Sequence, residues 1–133
     1  MKRNSIRLRM LPDRLTVCKV MGLSEIDLTG DLFCIGRTDD EISLVTKTKD
    51  APVSATERED GWRGFYIDGV LDFSLVGILA GITGVLAEAK IGIFAVSTYN
   101  TDYILVKEES LVKALRALKE AGYTVDENYR DQE

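Results

Sequence analysis

The most regular pattern of apolar and polar positions in this chain lies between Leu71 and Val106. Its first half repeats apolar side chains at steps of three and four residues, which predicts a helix with one apolar face. That face consists of Leu75, Ile78, Leu79, Ile82, Leu86 and Ala89. Because an apolar face has to be covered, we expect this helix to pack on a sheet.

A β-hairpin is predicted directly after this helix. Ile91 to Thr98 is rich in branched and aromatic side chains, Tyr103 to Val106 is a second apolar run, and the turn-like segment Tyr99 to Asp102 separates them. The other elements of this half are a strand at Trp62–Ile67, a helix at Glu108–Ala121 and a strand at Tyr123–Val125. The order β-α-β-β-α-β predicts an α+β fold on the ferredoxin-like, split βαβ plan.

The first half of the chain has a similar but weaker pattern. Its predicted strands are Ser5–Met10, Leu15–Val20, Leu32–Thr38 and Glu41–Thr46, the last two joined by a hairpin at Asp39-Asp40. Gly22 to Gly30 has room for a helical turn or two, and the polar segment Asp50 to Asp60 is either a short helix or a linker. We therefore expect a less complete unit here.

The two halves suggest an internal duplication. FCIGRTDDEISLV in the first half and IFAVSTYNTDYILV in the second share one plan, an apolar strand, a polar break containing an acid, and another apolar strand. This predicts a reduced first unit at residues 1–60 and a complete second unit at residues 61–133. Trp62 to Asp68 could close the first sheet, open the second, or do both.

Composition and charge limit the classes of partner that the chain is expected to bind. The chain has 133 residues, 45% of them apolar and 29% charged, which is typical of a globular domain. Its net charge of -5 argues against nucleic acid and against an anionic membrane surface as partners. The uncharged stretch from Phe73 to Ala87 is too short to span a bilayer. Lys2 and Arg3 resemble the basic start of a signal peptide, but only the apolar pair Met10-Leu11 follows them before Pro12, so we expect no export segment. We expect a cytoplasmic protein.

Catalysis is not expected. The chain contains no histidine and no phosphate-binding glycine loop. Cys18 and Cys34 lie in apolar runs without metal-ligand spacing, so we expect buried free thiols. The acids Asp39, Asp40 and Glu41 fit a solvated turn better than a cation site. No cofactor, metal or catalytic residue is predicted.

A family resemblance covers most of the second half. The segment GVLDFSLVGILAGITGVLAEAKIGIFAVSTYNTDYILVKEESLVKALRALKEAGY resembles an ACT domain, of the kind found in tandem in small bacterial proteins and in cytosolic arginine sensors. It is also similar to the regulatory part of aspartate kinases. LTVCKV and FCIGRTDDEISLVTKT match the first half of the tandem family. The resemblance implies two ACT units in tandem with a reduced first unit, pairing of units through sheets and helices, and an amino acid or similar small effector bound between units.

The resemblance implies that one wall of the effector site precedes the long helix. It carries over Asp72, Phe73, Ser74 and Leu75 as ligand-binding candidates. The first N–H groups of a helix lack partners within it and carry partial positive charge, which suits a ligand carboxylate. Ser74 or Asp72 could instead be the N-cap and satisfy these groups internally.

The hairpin supplies the second predicted wall. Ser97 and Thr98 offer hydroxyl groups, Tyr99 offers an aromatic face, and Asp102 offers a carboxylate for an ammonium or guanidinium group. In the arginine sensors that the chain resembles, the aromatic residue and the acid of the corresponding STxxxD pattern contact the ligand. The alternative is that Asn100 and Asp102 only form the turn.

Three glycines lie on roughly one side of the long helix, at Gly77, Gly81 and Gly84. Each costs about 1 kcal/mol relative to alanine, which predicts close approach of a neighbouring element or direct ligand contact. The sequence therefore favours an oligomer, a homodimer being the simplest, that binds an effector and acts on a protein partner not yet identified. The alternatives are a ligand-free assembly module and an accessory subunit of an amino-acid biosynthetic enzyme.

Overall fold

The computed structural model describes residues 6–68 and 77–127, which form two compact units. One unit comprises the described residues of Met1–Pro12 and Arg63–Glu133, and the other is Asp13–Trp62. The sequence predicts a boundary at residue 60 with the N-terminal strand in the first unit, whereas the structure groups that strand with the second half of the chain.

The described residues form eight strands and two α-helices. The strands are β1 Arg7–Met10, β2 Leu15–Val20, β3 Phe33–Arg37, β4 Ile42–Lys47, β5 Glu57–Ile67, β6 Phe94–Ser97, β7 Asp102–Lys107 and β8 Thr124–Asp126, and the helices are α1 Ile78–Glu88 and α2 Leu111–Glu120. Every predicted strand and both long predicted helices are confirmed among these, with ends shifted by a few residues.

The unit that contains both helices has the strand order β6-β7-β5-β1-β8. β1 lies antiparallel to β5 on one side and parallel to β8 on the other. A plain ferredoxin-like unit would place its last strand directly beside its first, so β1 is inserted at this point. Leu8 and Met10 explain the insertion, because both point into the core and are at most 5% exposed.

The core of this unit lies between the sheet and the two helices. Its fully enclosed side chains come from alternate positions of three strands and from one stripe of each helix, namely Leu8, Phe65, Ile67, Ile104, Val106, Ile82, Leu86, Ala114 and Leu118. Alternation in the strands and the 3.6-residue period in the helices place these groups on facing surfaces. The apolar face predicted for the first helix is confirmed at Ile82 and Leu86, and the second helix buries Ala114, Leu115 and Leu118.

Both helices end in the same hydrogen-bonded turn, but with different residues in the left-handed position. After α1, Lys90 has φ 64°, and its N–H donates to the Ala87 carbonyl at 2.9 Å. After α2, Gly122 has φ 106°, and its N–H donates to the Lys119 carbonyl at 3.0 Å. Glycine adopts this backbone without strain, whereas a residue with a Cβ does not.

Lys90→Gly is therefore expected to raise the free energy of unfolding by about 0.5–1 kcal/mol, since relief of the strain exceeds the added entropy of the unfolded chain. The matched reverse change, Gly122→Lys, should lower it by about 1 kcal/mol. Urea unfolding followed by circular dichroism measures both. Equal effects of the same sign would show that the left-handed backbone does not decide stability at these turns.

The unit Asp13–Trp62 has the strand order β3-β4-β2-β5, and its small core consists of Cys18, Val20, Ile26 and Leu44. Single 3₁₀ turns at Leu23–Glu25 and Thr48–Asp50 stand where the other unit has its helices. The helical turn predicted within Gly22 to Gly30 is confirmed. This unit buries far fewer apolar side chains than the helical one.

The prediction of a helix or linker at Asp50 to Asp60 is wrong at its end, because β5 begins at Glu57. Hydrogen bonds to Asp60 stabilise the polar start of this strand. The Thr16 hydroxyl donates to the Asp60 carboxylate at 2.7 Å, and the Arg58 guanidinium donates to the same carboxylate at 2.9 Å. The sequence left open whether Trp62 to Asp68 belongs to the strands of the first half, of the second half, or of both, and the pairing of β5 shows that it belongs to both. Residues 57–62 pair with β2, and residues 65–67 pair with β1.

Glu25 joins two loops of the Asp13–Trp62 unit. Its carboxylate accepts hydrogen bonds from the Met21 and Gly22 N–H groups at 2.7 and 3.0 Å and from the Ser54 hydroxyl at 2.8 Å. These hydrogen bonds lower the pKa of Glu25, and the bond from Ser54 contributes most. The carboxylate therefore favours the folded state only while it is ionised.

A lowered pKa in the folded state contributes stability that is present above the unfolded pKa of about 4.3 and is lost as pH falls through the folded value. We expect Glu25→Gln to reduce stability at neutral pH and to make it less dependent on pH below about 4.3. Urea unfolding of both proteins from neutral to acid pH measures this. Parallel pH profiles would contradict it.

Candidate functional site

The hairpin between β6 and β7 holds four of the predicted ligand-binding residues. Ser97 and Asp102 are directly opposite each other at the end of the two strands that adjoins the turn. The Thr98 N–H donates to the Thr101 carbonyl at 2.8 Å, which leaves Tyr99 and Asn100 as the tip of the turn. Asp102 is thus the first residue of β7 rather than part of the turn tip.

Hydrogen bonds orient the polar groups of this hairpin. The Ser97 hydroxyl donates to the Asp102 carboxylate, and the Thr98 hydroxyl donates to the Thr101 carbonyl at 3.1 Å. Tyr99 is 81% exposed, so most of its ring is accessible to a ligand. The Asp102 carboxylate keeps acceptor capacity beyond the Ser97 bond, because an ionised carboxylate has about four lone-pair sites.

Thr101 fixes the hairpin to the end of β5. It is 8% exposed, and its hydroxyl donates to the Ile67 carbonyl at 2.6 Å. The sequence analysis did not identify this residue as functional. A threonine in a polar turn is usually exposed, and the only signal was its place beside Asp102, between two strands.

Asp72, Phe73, Ser74 and Leu75 lie outside the residues that the structure describes. The predicted cap is nevertheless wrong, because α1 begins at Ile78 and its N-cap is Gly77, with φ 87°. Gly77 itself has no side chain with which to cap this end of the helix. The first N–H groups of the helix follow Gly77 instead of Ser74.

An ion-pair network lies at the C-terminal end of β5. Arg9 contacts Asp68 at 3.0 Å and Asp126 at 2.9 Å. The hydrogen bond to Asp68 is the main cause of a raised pKa at Arg9. Asp68 is thus already paired with a cation, which distinguishes it from Asp102 as an acceptor for a positively charged ligand.

The two helices form a groove of about 530 Å³, lined mostly by small side chains together with Val85, Glu88 and Glu120. Ala80, Gly81 and Gly84 of α1 face Ala117 of α2 and Ala121 across it. A Cβ at Gly81 would lie 2.9 Å from the Tyr123 hydroxyl, whereas one at Gly84 would meet nothing within 4 Å. The predicted close approach is therefore found at Gly81.

Both cysteines are free. Cys18 is buried as predicted, whereas Cys34 is only partly buried. Burial raises the pKa of each thiol, which keeps it protonated and weakly nucleophilic.

Within residues 6–68 and 77–127, no group of three or more Cys, Asp or Glu residues is placed to hold a metal ion. Neither helix in the described part of the chain has the length and apolar character needed to cross a membrane.

Residues 57–120 match the ACT domain family, whose members are regulatory, ligand-binding modules. A search of curated proteins gave no match. The match to the family confirms the ACT resemblance of the second half of the chain. It contains the hairpin and both helices, and therefore every described residue of the candidate site.

Solved structures share the fold. A protein of Agobacterium tumefaciens is 27% identical, with a TM-score of 0.82 over 96% of this chain and 97% of that one. A Vibrio cholerae protein of unknown function, described as a possible transport protein, is 23% identical, with a TM-score of 0.71 over 91% of this chain and 93% of its own. The regulatory subunit of Thermus thermophilus aspartate kinase, in a ligand-free form, is 16% identical, with a TM-score of 0.60 over 86% and 96%.

Proposed function

We propose that this protein is a regulatory protein that binds a small effector, an amino acid in the first place, at the turn end of the β6–β7 hairpin. The observation that carries the proposal is the oriented pair of Ser97 and Asp102 beside the end of β5, within a segment that matches the ACT domain. A zwitterionic ligand needs an anionic acceptor for its ammonium group, and Asp102 supplies one.

The hairpin supports specific roles. Asp102 accepts hydrogen bonds from the ammonium or another cationic group, and Ser97 holds that carboxylate in place. Tyr99 covers the ligand with its exposed ring, and Thr98 lies next to it in the turn. The ligand carboxylate would bind the opposite wall, for which Asp72, Phe73, Ser74 and Leu75 remain the sequence-based prediction.

The proposal includes two ACT-like units in tandem, the first reduced. Its support is the strand order: β3-β4-β2-β5 in Asp13–Trp62 corresponds to β6-β7-β5-β8 in the other unit, where β1 is inserted between β5 and β8. In this comparison, the two 3₁₀ turns of the first unit correspond to the two helices of the second. The reduced unit would contribute less surface to a ligand.

The proposal also includes self-association through β6. Among the described residues, β6 is an edge strand of the sheet and pairs with β7. Its sequence FAVS has no charge and no proline, the residues by which exposed edges usually avoid pairing. Since β6 ends at Ser97, pairing of two copies would place two effector sites near the interface.

Thermal unfolding in the presence of each standard amino acid tests the proposal. A ligand at about 100 times its dissociation constant adds about 2.7 kcal/mol to the free energy of unfolding, which raises the melting temperature by several degrees. We expect one amino acid, or a few of similar charge, to produce this rise. Titration calorimetry would then measure the affinity and the number of sites.

A ligand-free assembly module is the second candidate, favoured by the uncharged β6 edge and by the groove of small side chains. Sedimentation or light scattering distinguishes the two functions. A stable oligomer that no amino acid or nucleotide stabilises would support the assembly module and contradict effector binding.

A further inference from the structure

We propose that Thr101 is a positioning residue for the effector site: it holds the hairpin against the end of β5 and thereby sets effector affinity without touching the effector. The inference rests on the proposed function. The inference adds to that function a residue that neither the family match nor the sequence pattern singles out.

Thr101 uses its backbone and its side chain to connect two parts of the fold. Its carbonyl accepts hydrogen bonds from the Thr98 N–H at 2.8 Å and the Thr98 hydroxyl at 3.1 Å, which closes the turn. Its hydroxyl donates to the Ile67 carbonyl at 2.6 Å. Ile67 is 2% exposed and belongs to the core. The turn is thereby attached to a strand residue of the buried core.

The position of Thr101 in the chain makes this attachment relevant to ligand binding. Asp102 is the next residue, and Ser97, which orients the Asp102 carboxylate, pairs with it across the hairpin. A backbone shift at Thr101 therefore moves the acceptor carboxylate. Binding groups have to be held within about 0.5 Å of the productive geometry, and that precision comes from supporting hydrogen bonds.

A purely structural role is the competing explanation. It predicts that loss of the hydroxyl lowers stability and leaves the affinity of the remaining folded protein unchanged. The positioning role predicts lower affinity under conditions where the protein is fully folded. The two explanations therefore differ in a binding measurement well below the melting temperature.

Thr101→Val tests this, since valine keeps the branched shape and removes the hydroxyl. Thr46 offers a matched control, because it is 3% exposed, lies in the other unit, and its hydroxyl donates to the Leu32 carbonyl at 3.2 Å. Thr46→Val removes the same kind of bond away from the hairpin. Thr101→Ser keeps the hydroxyl and serves as the conservative variant.

Titration calorimetry at low temperature uses whichever standard amino acid raises the melting temperature of the wild type most. Thr101→Val is expected to weaken binding by about tenfold, because it removes the hydrogen bond to the Ile67 carbonyl and frees the hairpin. Thr101→Ser should restore near wild-type affinity, and Thr46→Val should keep it despite a similar loss of stability. Amide hydrogen exchange at Thr98 should become faster in Thr101→Val only.

Wild-type affinity in Thr101→Val, or an equal loss of affinity in Thr46→Val, would overturn the inference while leaving the proposed function intact. If the wild type binds none of the amino acids, the proposed function fails and this inference fails with it. Unchanged amide exchange at Thr98 in Thr101→Val would overturn the inference without any ligand, because the hairpin would then not depend on the Ile67 bond.

Discussion

Replacing Asp102 by alanine is expected to abolish the rise in melting temperature that the effector produces. The variant loses the charged acceptor for the ligand cation, and a hydrogen bond to a charged group is worth about 1.5–3 kcal/mol, which corresponds to roughly 10- to 150-fold in affinity. The stability of the ligand-free protein should change little. The Asp102 carboxylate accepts its hydrogen bond from Ser97, and that side chain is itself exposed.

The β3–β4 hairpin provides the matched control for this prediction. Asp40 is an exposed carboxylate at the turn of that hairpin, so Asp40→Ala removes the same charge from an equivalent type of turn. Calorimetric titration of both variants with the same amino acid separates a direct contact from an effect of net charge. Equal affinities of Asp102→Ala and the wild type would remove Asp102 from the site.

The largest expected loss of stability comes from Phe65→Ala. The Phe65 side chain is 0% exposed and lies in β5 at the centre of the core that both helices cover. Truncation of a buried phenylalanine costs about 3–5 kcal/mol, through lost burial and the cavity left behind. Because domains of this size are stable by about 5–15 kcal/mol, the variant should be close to unfolding at physiological temperature.

Urea unfolding of Phe65→Ala and of a surface control measures this difference. Val112 is 69% exposed on α2, so Val112→Ala should change stability by less than about 0.5 kcal/mol. A loss of less than about 1 kcal/mol in Phe65→Ala would show that the surrounding side chains collapse into the space, contrary to the close packing described here.

The candidate site was only partly predictable. The sequence placed Ser97 near the end of one strand and Asp102 in the turn that follows it, and the hairpin brings them together because residues on either side of a tight turn pair across it. It did not reveal that Thr101 is buried, since turn residues carry no periodic pattern. The predicted cap failed for a related reason: no local rule distinguished Gly77 from Ser74 as the start of α1.

The polar start of β5 was missed because strand prediction depends on apolar alternation. Asp60 is stabilised in the strand by Thr16 and Arg58 through hydrogen bonds that cross the sheet or span two residues. Such partners come together only when the strands pair. The sequence around Asp50 to Asp60 therefore resembled a linker or a helix, although its second half is extended.

The amino-acid sequence by itself determined the identity and order of the strands and helices, because the period of apolar positions records which face of each element is buried. It also determined the α+β class and the acidic, histidine-free chemistry of the chain. Only the tertiary structure decided that β1 lies between β5 and β8 and that Thr101 attaches the hairpin to Ile67. Periodicity shows that a face is covered but not which element covers it, since that depends on contacts between residues far apart in the chain.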